Sequence, residues 1–228
     1  MPYNFIDLVN RVNKSLNEVE LTSANFLSAG GWHSFAKEAV NLAIQDINDE
    51  PVEWPFYFVQ QTLVLTSDQS RYPFPADCKK IDFNTFRIRK DDTLNNKTIS
   101  LFSIDYEDYL IKYSDMEYNI DAWAALPTIV AKTNGMEFLL VPPPDQAYTL
   151  IYEYYRIPNR LEQPEDVPLI PRVFESTIMD GAMYYAYMFR EDSEAAAMAK
   201  ERFDEKKKSM RRNYINRSEY VRSTYIMR

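Results

Sequence analysis

The feature that most limits how this chain can fold is a change of period along it. Near both ends apolar residues recur every three or four positions, whereas the middle alternates in twos and is punctuated by turn residues. Phe5, Leu8, Val9, Val12, Leu16 and Val19 form one stripe, which predicts a helix over residues 4–18. Ala36, Val40, Ala43 and Ile47 do the same over residues 33–49, between the Gly30-Gly31 turn and Pro51. After Pro171, the residues Val173, Phe174, Ile178, Ala182, Tyr185, Ala186 and Phe189 line a third helix. Ala195, Ala196, Ala199 and Phe203 line a fourth over residues 193–210, with Asp192 or Ser193 as its N-cap.

The middle reads differently. Runs rich in β-branched and aromatic residues predict strands over residues 57–65, 80–89, 98–103, 128–133, 137–141 and 149–156. A short helix is expected near residues 106–113, and Asn134-Gly135 marks a hairpin between two of the strands. The expected fold is therefore α+β: a four-helix bundle interrupted by a β-rich antiparallel insertion, a small sheet or open barrel, with an extended C-terminal arm. Residues 1–54 and 159–212 would form the two halves of the bundle, residues 55–158 the insertion, and residues 213–228 the arm. At 46% hydrophobic, a chain of 228 residues has enough apolar surface for such a core.

Several function classes find little support. Four glycines leave few places for the close backbone approach that phosphate-cradling loops need. One cysteine, Cys78, gives no disulfide framework. The first residues are amphipathic rather than signal-like, and no run approaches the ~20 apolar residues of a membrane span. A soluble intracellular product without membrane contact is expected. His33, the one histidine, is expected to be a capping or surface residue, since a histidine metal site needs several. Cys78 lacks a histidine base and reads as structural. Carboxylate pairs such as Glu107/Asp108 and Glu162/Glu165 read as solvated faces, and no nucleotide, dinucleotide or hydrolase motif occurs. No catalytic residue, cofactor site or metal site is assigned, and the chain is read as not an enzyme.

Charge is unevenly placed. The net charge is −8, yet residues 206–228 hold eight basic residues against one acid, so that segment carries +7 and the rest −15. The acidic body argues against sequence-independent nucleic-acid binding, which draws on phosphate neutralisation. Tyr152, Tyr154 and Tyr155 are expected to pack within a sheet, while Tyr184, Tyr185 and Tyr187 suit a core or a subunit contact equally well. The arm is more specific. Tyr214, Ile215, Tyr220, Val221, Tyr225 and Ile226 alternate with Arg217 and Arg222, a composition unlike that of a disordered tail. These eight residues are read as a docking segment, one that orders on a partner's sheet edge or groove.

In order along the chain stand Trp54-Pro55-Phe56, Tyr72-Pro73-Phe74-Pro75-Ala76-Asp77, Leu139-Leu140-Val141-Pro142-Pro143-Pro144-Asp145 and Pro168-Leu169-Ile170-Pro171. With the order of elements around them, they make the chain similar to the head-to-tail adaptors, tail tubular protein A type, of short-tailed bacteriophages. That resemblance implies a virion protein of the neck, made in the host cytoplasm. It also implies a homo-dodecameric ring, with the helical bundle toward the capsid and the C-terminal arm along the portal protein. The nozzle or tail tube protein would sit on the other side, and DNA would pass through the lumen without specific binding. Two alternatives stay open: a peptidoglycan-hydrolysing virion protein, and a β-rich module binding glycan or nucleic acid.

Overall fold

The computed structural model describes residues 3–90, 97–118 and 123–214. It divides into two compact units, Met1–Phe56 with Pro158–Arg228 and Tyr57–Ile157.

The first unit holds the four longer helices. Helix α1, Phe5–Ser15, starts where the Asn4 side chain accepts a hydrogen bond from the Asp7 amide at 3.1 Å. Its next free amides are met by the later segment: Phe5 N donates to Asp166 O at 2.8 Å and Ile6 N to Pro164 O at 3.1 Å. Phe5, Leu8, Val9 and Val12 are buried, as their stripe requires. The helix stops at Ser15, three residues before its expected end. Asn17 takes φ +56, and the Glu18 amide donates back to Asn13 O at 2.8 Å, which closes a Schellman cap. Helix α2, Trp32–Asn48, follows Gly31, whose φ of +61 suits a residue without a side chain.

Helices α5, Glu175–Phe189, and α6, Ser193–Tyr214, complete the unit, and a single 3₁₀ turn, Arg172–Phe174, leads into α5. Asp192 is the cap of α6: its carboxylate accepts from the Ala195 amide at 3.1 Å. The four-helix bundle is met only in part. All four helices share one unit, but α5 is the hub, packing against α1, α2 and α6. The reason lies in its small faces: Gly181, Ala182 and Ala186 are buried and let neighbouring helices approach closely.

The second unit is a two-layer sandwich. One sheet has the order β1-β8-β3-β4, from Phe58–Val64, Thr149–Arg156, Cys78–Lys90 and Lys97–Ser100. The other has the order β2-β7-β6-β5, from Arg71–Pro73, Glu137–Val141, Ile129–Lys132 and Phe102–Ile104. Their facing sides share one core, including Ile81, Phe86, Leu150, Tyr152 and Tyr154 from the first sheet and Tyr72, Val130, Phe138 and Leu140 from the second. Phe86 stacks on Tyr152 at 4.8 Å and meets Phe138 edge-on at 5.1 Å, contacts that add about 0.5–1.5 kcal/mol each beyond area burial.

Three expectations for this region are corrected. It is a sandwich rather than one sheet or an open barrel. The strand expected over residues 98–103 is two, because the chain changes sheet at Leu101. Leu101 N still donates to Phe86 O at 2.9 Å, whereas Phe102 N donates to Thr128 O at 2.9 Å. The insertion is also not wholly antiparallel, since β5 runs parallel to β6. Parallel neighbours need a crossover, and helices α3, Tyr106–Lys112, and α4, Ser114–Tyr118, lie on it. Tyr109 of α3 is buried with Ala131, Leu139 and Val141, so the second sheet is covered on its outer face as well.

Candidate assembly site

The segment singled out from sequence begins inside α6. That helix continues to Tyr214, so Asn213 and Tyr214 are helical rather than the start of an extended arm. The Tyr214 ring meets Phe174 edge-on at 5.2 Å and Phe56 at 6.0 Å, within its own unit. Ile215, Arg217, Tyr220, Val221, Arg222, Tyr225 and Ile226 lie outside the described residues.

The root of that segment is fixed from three sides. Phe203 and Met210 are buried on the inner face of α6. Glu50, just beyond α2 and only 12% exposed, accepts Lys207 Nζ at 3.1 Å and pairs with Arg211. Lys207 also reaches Asp204 at 3.1 Å and lies 4.5 Å over the Phe203 ring. Lys206 pairs with Asp180 and donates to Ser176 O at 3.1 Å. Three of the eight cations behind the charge asymmetry are therefore held by acids of the helical unit, and the asymmetry is partly internal.

Burial, with the Asp77 carboxylate beside it, pushes the Cys78 thiol up to about 11, so it is a poor nucleophile near neutrality. His33 is half-buried at the start of α2. Glu107 and Asp108 are exposed, the latter paired with Lys112, and Glu162 and Glu165 are exposed too. Tyr152 and Tyr154 face the sandwich core, and Tyr155 points to the other side of its strand. Tyr185 donates to Asp46 at 2.7 Å, which ties α5 to α2 inside the unit. No group of three or more metal-binding side chains occurs among the described residues. Among them no helix is long and apolar enough to cross a membrane.

Two features escaped sequence reasoning. One is a cavity of about 370 Å³ beside α5 and α6, lined by Met179, Met183, Tyr187, Met198 and Arg202 among others. Three methionines on the two helices were the available signal, but their spacing also fits a core stripe. The other is an aromatic cluster in which Phe35 and Phe189 stack at 4.1 Å beside Trp32. Arg190 lies 4.6 Å over the Trp32 ring and pairs with Glu18 at 2.5 Å. The contributing residues are far apart in sequence, so no local pattern announced it.

A family model described as SU10 adaptor protein matches residues 3–225, which takes in both units, all of α6 and most of the segment beyond it. No curated protein matches the chain. A match of that extent is not to a shared turn or a single motif but to the full succession of helices, sandwich and helices. The chain belongs to the SU10 adaptor protein family of phage head–tail adaptors.

Proposed function

We propose that the chain forms a homo-dodecameric ring between the portal protein and the tail of a phage virion, as the resemblance to adaptors of the tail tubular protein A type implies. Its arm, residues 215–228, docks along the portal, and its opposite side receives the nozzle or tail tube protein. The ring is built in the host cytoplasm and leaves a passage for DNA. The protein acts by geometry, not by catalysis.

The observation that carries this reading is the rooting of α6. Glu50, Lys207, Arg211 and Tyr214 fix the direction in which the chain leaves the helical unit, and the family match continues through residue 225 into the tyrosines and arginines that follow. A fixed root reduces the ordering cost when an arm docks. Twelve arms on a twelvefold partner then add by effective concentration, so each contact can be weak. The acidic body suits a channel that lets DNA slide, because like charge opposes adsorption to the wall.

The test compares the full chain with a version ending at Tyr214 for co-assembly with portal rings, read by native mass. The full chain should join the portal and the shortened one should not, while both give the same thermal unfolding. A shortened chain that joins portal rings equally well would sink the docking role of the arm.

A further inference from the structure

The first sheet of the sandwich ends in an edge that ordinary soluble proteins avoid. Strand β1 has seven residues, reads Phe-Val-Gln-Gln-Thr-Leu-Val without a charge or a proline, and pairs with β8 in one unbroken register. Open edges are normally blunted by lysine, proline, a bulge or shortness, since their free peptide groups invite another strand. None of these devices is present in β1.

Which groups the edge offers follows from parity. In an antiparallel pair, alternate residue pairs exchange both hydrogen bonds and the intervening pairs exchange none. Leu65 N donates to Tyr148 O at 2.8 Å, which continues the Val64–Thr149 register by one step. Leu63, Gln61 and Val59 are therefore the residues bonded to β8, and Phe58, Gln60, Thr62 and Val64 aim their N–H and C=O groups outward. Those same four residues carry the exposed side chains of the strand. Among the described residues no hydrogen bond reaches their outward groups.

The opposite edge of the sheet is β4. There Leu101 N donates to Phe86 O at 2.9 Å, one step beyond the Ser100–Arg87 pair. By the same parity Ile99 bonds to β3, while Thr98 and Ser100 aim their peptide groups outward. Through β8 and β3 the registers place Thr98 and Ser100 on the same face of the sheet as Val64 and Thr62. Three successive antiparallel pairings also make β1 and β4 antiparallel to each other.

We infer that β1 of one copy adds to β4 of the next, so that the first sheet continues from subunit to subunit. The occupant is a second copy because the two edges match in direction, bonding parity and face, over the four residues that β4 offers from Lys97 to Ser100. Directions are antiparallel, outward-bonding residues meet outward-bonding residues, and the apolar face of one sheet continues into that of the next. On the face that carries the outward-bonding residues, Phe58, Gln60, Thr62 and Val64 stand against Thr98 and Ser100, all uncharged, while the charge of β4, Lys97, lies at its start on the other face. Two different edges joined head to tail give a heterologous contact, which closes as a ring where the rotation between copies returns on itself and runs on as a filament where it does not. The inference rests on the ring proposed above and names the surface that builds it.

The experiment uses the full chain with Thr62→Cys, Thr98→Cys or both, a short bismaleimide cross-linker, and native mass in parallel. An equal mixture of the two single variants should give cross-linked dimers, and the double variant a ladder well beyond dimer. Each single variant alone should give neither. Thr62→Pro removes an outward N–H without touching the bonds to β8, and should convert multimers to monomers with an unchanged far-UV circular dichroism spectrum. Dimers from Thr62→Cys alone would overturn the inference in favour of a two-fold β1–β1 contact. Rings by mass with no cross-link in the mixture, or rings that survive Thr62→Pro, would overturn it and leave the ring standing. Monomers at every concentration with no ladder would remove both.

Discussion

Gly181 faces the ring of Phe203 with no room for a side chain between them: a Cβ on Gly181 would lie 2.9 Å from two ring carbons and 2.8 Å from the Cβ of Ala43. Helices α2, α5 and α6 thus meet at one residue, and the hub role of α5 depends on its having no Cβ. Gly181→Ala gains helix propensity, about 1 kcal/mol at most. The overlap with two neighbours outweighs that gain, because overpacking a filled core costs about 1–3 kcal/mol. The variant should be less stable than wild type, read as a lower urea midpoint. A midpoint equal to or above wild type would show that α6 yields freely at this contact.

The ion pairs at the root of the arm lead to a second expectation. Glu50 and Lys207 are 12% and 14% exposed, closer to a buried pair than to a surface one, while Arg211 beside them is 37% exposed. Glu50→Gln leaves two cations facing a neutral amide. A loss of about 1–3 kcal/mol is expected, between the exposed and buried limits. Hydrogen exchange should locate the change in the last turns of α6. The double variant Glu50→Gln/Lys207→Met should recover part of the loss, and strict additivity of the two changes would argue against direct coupling.

How much of this was legible follows the range of each signal. The helix stripes and the β-textured middle are local patterns, and they placed α1, α2, α5 and α6 close to where they lie. The early stop of α1 was also written locally, in Asn17, a residue that favours the left-handed cap, but the apolar stripe runs on to Leu16 and Val19 and masks it. The change of sheet at Leu101 has no local mark, since it depends on which carbonyl, Phe86 or Thr128, each amide finds. The parallel β5–β6 pair is equally silent, being a matter of where the crossover returns. At the candidate assembly site the basic, tyrosine-rich composition was visible. That Glu50 holds Lys207 and Arg211 was not, because the partner lies at the other end of the chain.

Cys78 provides a reporter for the sandwich. Its side chain is buried at the start of β3, and burial raises its thiol to about 11, so both access and thiolate fraction are low in the folded state. Labelling by iodoacetamide at pH 8 should be at least tenfold slower than in the urea-unfolded chain, whose thiol returns to about 8.5. The rate should follow unfolding of the second unit as urea rises. Rapid labelling of the native protein would mean that the edge of this core opens readily.

Acid sensitivity of the second unit should centre on Glu117. Its carboxylate accepts the Arg71 guanidinium at 2.5 and 3.0 Å and the Tyr109 hydroxyl at 2.7 Å, and Arg71 also reaches Glu137 at 2.7 Å. The guanidinium is the chief cause that holds Glu117 below the usual carboxylate range, against an opposing effect of burial. A lowered folded value means that the charged form favours the fold. That contribution is complete above the ordinary glutamate value of about 4.3 and is lost as pH falls through the lowered one. Glu117→Gln lacks the ionisation, so its stability deficit relative to wild type should be constant from pH 8 to 6 and should shrink as the pH drops below about 4.3. Urea midpoints of the two proteins across that range measure the gap directly. A gap that stays the same size into acid would mean that Glu117 contributes by shape and neutral hydrogen bonding, and that its charge on Arg71 does not stabilise the sandwich.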